Sequence, residues 1–224
     1  MILMPEGLIN VNGSNVQTLE ILFLTTIVAL LPSILVMMTS FTRIIISLSF
    51  LRTAMGTQQN PPNMVLIGIA LFLTLFIMNP VLTDIQQNAY EPYTRQEITQ
   101  QEALERAKVP LKDFMIRQTE NSSIKLFCEM AKVDAPKDSD EAKQLSMRVI
   151  IPAYMTSELK RAFEIGFLLY IPFLLIDIIV SSTLMSMGMI MLPPAMISMP
   201  FKLLLFITVD GWQLLFSSLV QGFR

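Results

Sequence analysis

The chain has 224 residues, 53% of them hydrophobic and 15% charged, with a mean hydropathy of +0.56. Soluble domains carry nearer a quarter charged residues, so this is the composition of a membrane protein. A net charge of −2 gives no electrostatic reason to expect nucleic acid, and the absence of histidine excludes His bases, His-based triads and His-containing zinc motifs.

Charge is concentrated in the middle. Residues 84–148 hold 10 Lys+Arg and 12 Asp+Glu, 22 of the 34 charged residues of the chain. This divides the sequence into an apolar N-terminal helical hairpin (1–82), a polar helical insert (83–149) and a C-terminal apolar hairpin with a methionine-rich turn (150–224). The expected fold class is all-α, membrane-associated helical hairpins. The opening MILMPEGLINVNG lacks a basic region and is too short in its apolar part for a secretory signal. Targeting is left to the first long helix, to a signal removed earlier, or to none. The single cysteine, Cys128, makes no internal disulfide and is most simply a small core residue.

In chain order, Asn10–Gln17 reads as a polar turn, and Thr18 as a helix N-cap with Glu20 close behind. The run from Leu19 to Met38 is long enough to cross a hydrocarbon core, with a kink at Pro32, and continues as helix to Arg52. Arg43 then lies inside an apolar helix. Its insertion cost of roughly 2.5–3.5 kcal/mol directs it toward protein or water, with snorkelling to an interface as the alternative. GTQQNPPN (56–63) is a loop, and Met64–Met78 a second apolar helix ended by Asn79-Pro80. Gly68 and Ala70 offer a close-packing surface.

In the insert, Arg95–Ala107 is helical and Val109-Pro110 interrupts it. Leu111, Phe114, Met115 and Gln118, then Ile124, Phe127 and Cys128, recur at helical spacing. Asp134–Gln144 is a solvated loop. Thr156 and Ser157 before Glu158 resemble a helix start. Gly166–Val180 is apolar, kinked by Pro172, and holds Asp177. Lys202–Val220 is the last apolar helix, interrupted at Asp210-Gly211.

Two features of the last third carry chemistry. Asp177 and Lys202 lie 25 residues apart on successive helices across a Pro-Pro turn, which brings them to comparable depth within one hairpin. The alternative is a meeting across a subunit boundary. Pairing offsets the cost of burying either alone, and the pair reads as fixing assembly, with proton or ion handling and a solvated interfacial position as alternatives. Six methionines (Met185, Met187, Met189, Met191, Met196 and Met199) crowd around Gly188 and Pro193-Pro194. Flexible thioethers at a helix end suit a collar that closes on itself and moulds to varied cargo, against the plainer role of apolar filler. No Walker A, G-x-S-x-G or H-E-x-x-H motif is present, and Asp177 with Asp210 lacks the flanking pattern of an aspartyl dyad. No catalytic, metal-ligating or cofactor-binding residue is expected.

Three stretches, TSFTRIIISLSFLRTAMGTQQNPPNMVLIGIALFLTLFIMNPV (39–81), PAYMTSELKRAFEIGF (152–167) and PFLLIDIIVSSTLMSMGMIMLPP (172–194), together with FKLLLFITVDGWQLL, resemble the flagellar biosynthetic protein FliP family. Injectisomes carry a counterpart, SctR. The resemblance implies a subunit of the export gate of type III secretion, in the bacterial inner membrane at the flagellar basal body. It also implies a pentamer-like helical homo-oligomer, with copies joined head to tail through a non-closing interface. FliQ-type and FliR-type subunits, FlhB-type and FlhA-type export components, unfolded protein substrates and the lipid membrane are the implied partners. The family's methionine gasket matches Met189, Ile190 and Met191, beside Met185 and Met187. Ile190 departs from an all-methionine version. The family's charged pair matches Asp177 and Lys202. The competing expectation is a proton-coupled secondary transporter or ion channel that uses Asp177.

Overall fold

The computed structural model describes residues 8–11, 14–17, 22, 25, 26, 29, 30, 33, 34, 36–189 and 191–223. They fall into two units, Met1–Met37 and Met38–Arg224. In the first unit, strands β1 (Leu8–Val11) and β2 (Ser14–Gln17) pair antiparallel with Val11 opposite Ser14. The stretch expected to be a simple turn is thus a small hairpin. The intervening Asn12-Gly13 is a strong hairpin signal in sequence. Leu22, Thr25, Thr26, Ala29, Leu30, Ser33 and Ile34 are helical, as the first apolar run requires. Thr18, Glu20 and Pro32 lie outside the described residues, and so does Ile190 in the second unit.

The second unit is helical throughout. Residues 38–40 break the first apolar run, and α1 (Phe41–Met55) begins there instead of continuing from Leu19. Helix α2 (Asn63–Ile85) passes through Pro80, where a stop was expected, into a π-helical turn (Gln86–Tyr90) and α3 (Glu91–Thr94). Prolines within apolar spans are tolerated because neighbouring groups and local helix adjustments satisfy the freed backbone. In the insert, α4 (Gln100–Gln118) starts later than Arg95 and runs uninterrupted through Pro110. Its start is fixed by a capping box. The Glu102 amide donates to Thr99 Oγ1 at 3.3 Å, and the Thr99 amide donates to Glu102 Oε2 at 2.9 Å. Burial of Phe114 and Met115 beyond the proline, about 1.5–3 kcal/mol each, offsets the cost of Pro110. Helices α5 (Asn121–Ala131) and α6 (Ser139–Ala142) complete the insert.

Helix α7 (Met147–Ser186) is the spine. It starts at Ser146, whose hydroxyl accepts from the Arg148 amide, and runs through Pro152 and Pro172. The expected start at Thr156-Ser157 is therefore mid-helix. Both hydroxyls turn back onto carbonyls four residues earlier, Pro152 at 2.9 Å and Ala153 at 3.0 Å. Helix α8 (Pro194–Thr208) returns along α7, and α9 (Gly211–Gln221) departs from α8 at 64°, so the last apolar run is two helices, not one. The elbow is Asp210, with φ of 51°.

The main apolar core joins Ile44, Leu48 and Leu51 of α1 to Ala70 of α2, Phe173 of α7, Phe206 of α8 and Leu219 of α9. The insert contributes Phe114 and Met115 to a second cluster with Ile150 and Tyr154, and Ile124 and Cys128 pack on Val149 and Ala153. Close packing occurs at Gly166, where an added Cβ would lie 2.5 Å from the Phe50 ring. Gly68, expected to serve that purpose, faces open space. Two continuous helical stretches, Asn63–Thr94 and Met147–Ser186, are long and apolar enough to cross a membrane, and the bent α8–α9 pair makes a third candidate. Only 28% and 11% of the most apolar windows of the first two are buried, so most of both surfaces is left for lipid or other subunits.

Candidate functional site

Two ion pairs, one sealed and one partly open, anchor α7 to its neighbours. In the first, Arg43 of α1 meets Glu158 of α7 through two hydrogen bonds, Nε to Oε2 at 2.9 Å and Nη2 to Oε1. The arginine side chain is 3% exposed and the glutamate 0%, so both charges are sealed. Arg43 Nη1 also donates to the Gly222 carbonyl at 3.1 Å and Nη2 to Gln118 Oε1 at 3.2 Å. Its guanidinium carbon lies 3.7 Å from the Phe223 ring centre, within cation–π range. Gln118 in turn donates to the Phe223 carbonyl and accepts from Arg161. One guanidinium therefore ties α1, α4, α7 and the end of α9. Arg43 faces protein, as an arginine within an apolar run should. Its partners Glu158 and Gln118 escaped the sequence reading: the polar stretch TSELKRAFE offers several candidates, and only the fold selects one.

The second pair lies nearer the methionine turn. Lys202 of α8 donates to Asp177 Oδ2 of α7 at 2.6 Å and to the Ala54 carbonyl of α1 at 3.1 Å. That carbonyl is one of the four left over at the end of α1, so the ammonium also complements the helix dipole. The buried Ser198 hydroxyl donates to Asp177 Oδ1 at 2.6 Å. The meeting is within one chain, across the α7–α8 turn. Asp177 remains 33% exposed, whereas the lysine is 7% exposed. Asp210 sits at the exposed elbow between α8 and α9.

The turn itself is a Schellman motif. Gly188 takes φ of 75°, the Gly188 amide donates to the Met185 carbonyl at 3.1 Å, and the Met189 amide to the Leu184 carbonyl at 3.0 Å. A side chain at Gly188 would strain that conformation. With backbone groups satisfied and Leu184 tucked in, Met185, Met187, Met189 and Met191 all project outward, Met191 being 98% exposed. Met196 is exposed as well and Met199 half-buried.

Between α4 and α5, Glu120 accepts from Lys160 of α7 at 3.1 and 2.8 Å through its two carboxylate oxygens, and this holds the Glu120 carboxyl below its usual range. Burial pushes the Cys128 thiol up. Among the described residues no cluster of three or more His, Cys, Asp or Glu is placed to hold a metal.

The family model described as the FliP family matches residues 24–219. Over 95% of its length the chain is 49% identical to the flagellar biosynthetic protein FliP of Aquifex aeolicus (strain VF5), covering 88% of that protein. It is 50% identical, over 92% of its length, to the protein of the same name from Bacillus subtilis (strain 168), 92% of which is covered. The chain belongs to the FliP family. Against the FliP protein of Pectobacterium carotovorum subsp. carotovorum it is 50% identical over 95% of its length, with 82% of that relative covered. The matched range includes both ion pairs and the methionine turn, so these features sit within the FliP domain and not in an appendage.

Proposed function

We propose that the chain is a structural subunit of a flagellar protein-export gate, in which the turn at 185–191 lines a constriction that seals around unfolded substrate. The observation that carries this reading is the geometry of the turn. Four outward methionines stand on a backbone fixed by the Schellman motif, with Lys202, Asp177 and Ser198 holding the two helices behind it. Soft side chains on a stiff base can close on one another and yield to varied cargo. A helical homo-oligomer would bring several such turns into a ring, with Met189, Ile190 and Met191 at its narrowest part. The large unburied faces of α2 and α7 suit contacts with further copies, with FliQ-type and FliR-type subunits and with the lipid of the bacterial inner membrane. FlhB-type and FlhA-type components would supply substrates, and the reading includes no catalysis. Asp177 is held by a lysine and a serine, which speaks against the rival reading of a carboxylate that cycles protons.

Ion conductance of the assembled complex tests this. Replacement of Met189, Ile190 and Met191 together by alanine should open a leak absent from the wild type. A mutant as tight as the wild type would move the gate elsewhere, and proton conduction by the wild-type chain alone would favour a transporter.

A further inference from the structure

The methionines of this chain differ sharply in what reaches their sulfur. Met38, Met55, Met78 and Met115 are buried among core side chains, Met115 completely. Met185, Met187, Met189 and Met191 stand in the open on one turn, Met191 98% exposed. The more usual sulfur target of oxidants is withdrawn. Cys128 is fully buried, and burial holds its thiol up, away from the reactive thiolate. The turn is also poor in spare hydrogen-bond donors. The amides of Met187, Gly188, Met189 and Leu192 already donate to carbonyls, at 3.1, 3.1, 3.0 and 3.4 Å, and Pro193 and Pro194 have no N–H to give. The hydroxyls of Thr183 and Ser186 donate to the Ile179 and Thr183 carbonyls, both at 2.8 Å.

We infer that the turn at 185–191 is a site of reversible methionine oxidation, at which hydrogen peroxide unseals the gate. The inference rests on the gate reading above. A thioether lone pair attacks one peroxide oxygen, so an S–O bond forms as the O–O bond breaks. The sulfur is oxidised by two electrons to the sulfoxide. The other oxygen leaves as water, taking the proton of the oxygen transferred. Methionine sulfoxide reductases, drawing electrons from a dithiol, return the thioether and release that oxygen as water. Closure of the collar needs apolar side chains that shed water against one another, and a hydrophobic constriction is shut because it is dry. A sulfoxide is a polar acceptor, unfavourable to bury without a donor. With most donors of the turn already spent, the new oxygen draws water into the constriction, and a wetted constriction conducts ions. A lining that touches passing chains faces the lumen, so a small neutral oxidant reaches it in the assembled state too. Leucine or isoleucine is inert to this chemistry, and position 190 already holds isoleucine.

The test measures ion conductance of the assembled complex before and after hydrogen peroxide, with oxygen uptake located by peptide mass spectrometry. Oxygen should appear on the methionines of 185–191 and on the exposed Met130 of α5, and not on Met115. The wild type should develop a leak comparable to that of the alanine variant, and the two reductases that act on the two sulfoxide epimers should abolish it. A chain carrying Met185→Leu, Met187→Leu, Met189→Leu and Met191→Leu together should stay tight under peroxide, although its Met130 is oxidised. Should that chain leak before treatment, the reductase reversal in the wild type decides alone. A wild type that stays tight with Met189 and Met191 oxidised overturns the inference. So does a leak that the reductases do not reverse, or one that peroxide opens equally in the leucine variant. The alanine variant without peroxide separates the two levels. If it leaks while the oxidised wild type stays tight, only the oxidation site falls, and if both stay tight the gate reading falls with it.

Discussion

Arg43 with Glu158 and Lys202 with Asp177 each set a cation against a carboxylate of α7, and in each the cation also caps the carbonyl end of a third helix, α9 for Arg43 and α1 for Lys202. They differ in enclosure. The Arg43 pair is sealed on both sides and its guanidinium is engaged by four groups, while Asp177 keeps a third of its side chain open. A sealed pair with every guanidinium nitrogen engaged fixes one arrangement of helices. A pair open on the acid side, two turns of helix from the methionine turn, holds the hairpin and still presents charge to a neighbour. On this view the first pair belongs to the fold and the second to assembly.

The sharpest challenge to that division is Glu158→Ala. It strands a buried guanidinium, which costs about 3–5 kcal/mol, and detergent-solubilised protein should melt far below the wild type. Asp177→Ala should cost less, about 1.5–3 kcal/mol, because Lys202 keeps the Ala54 carbonyl and water reaches the vacated side. Equal losses in the same unfolding assay would erase the distinction. Between the pairs, Gly166→Val drives a side chain into Phe50 and should cost about 1–3 kcal/mol, with Phe50→Ala in the same chain recovering most of it. Thr99→Ala, which removes the cap of α4 far from either pair, should cost about 0.5–2 kcal/mol in the same assay and leave assembly unchanged. The smallest effect belongs to Lys160 of α7 with Glu120, the residue before α5, a pair reached by solvent. Its carboxylate titrates lower in the folded chain than in the unfolded one. Its contribution is therefore present above the ordinary carboxylate range and lost as pH falls through the lowered value. Melts of Lys160→Ala and wild type should differ near neutrality and converge in acid or high salt.

Sequence alone was enough to find the charges, the Asp177–Lys202 pair and the turn, but not the partners of Arg43 or the serine on Asp177. Arg43 stood out because an arginine in an apolar run has few tolerable surroundings, and Asp177 with Lys202 because a hairpin aligns them. Gly188 before Pro193-Pro194 marked a helix end, and the Schellman bonds are there. Glu158, Gln118 and Ser198 were hidden, since each is an ordinary polar residue whose burial depends on which helices meet. Prolines misled at Pro80 and Pro110. The rule that proline stops a helix assumes water or nothing on the freed carbonyl, whereas long packed helices absorb the loss. The capping box T-Q-Q-E at 99–102 and the Asn12-Gly13 turn were legible signals that the broader charge pattern obscured.

The division between a pair for the fold and a pair for assembly is tested most directly by the size of the complex formed by a chain carrying Asp177→Leu and Lys202→Met together. Replacing both charges by apolar groups of similar volume leaves no stranded ion, so the single chain should fold at near wild-type stability. The account predicts that this folded chain fails to reach the wild-type assembly on a native gel. A full-sized complex from the double variant would contradict it and return Asp177 and Lys202 to the fold.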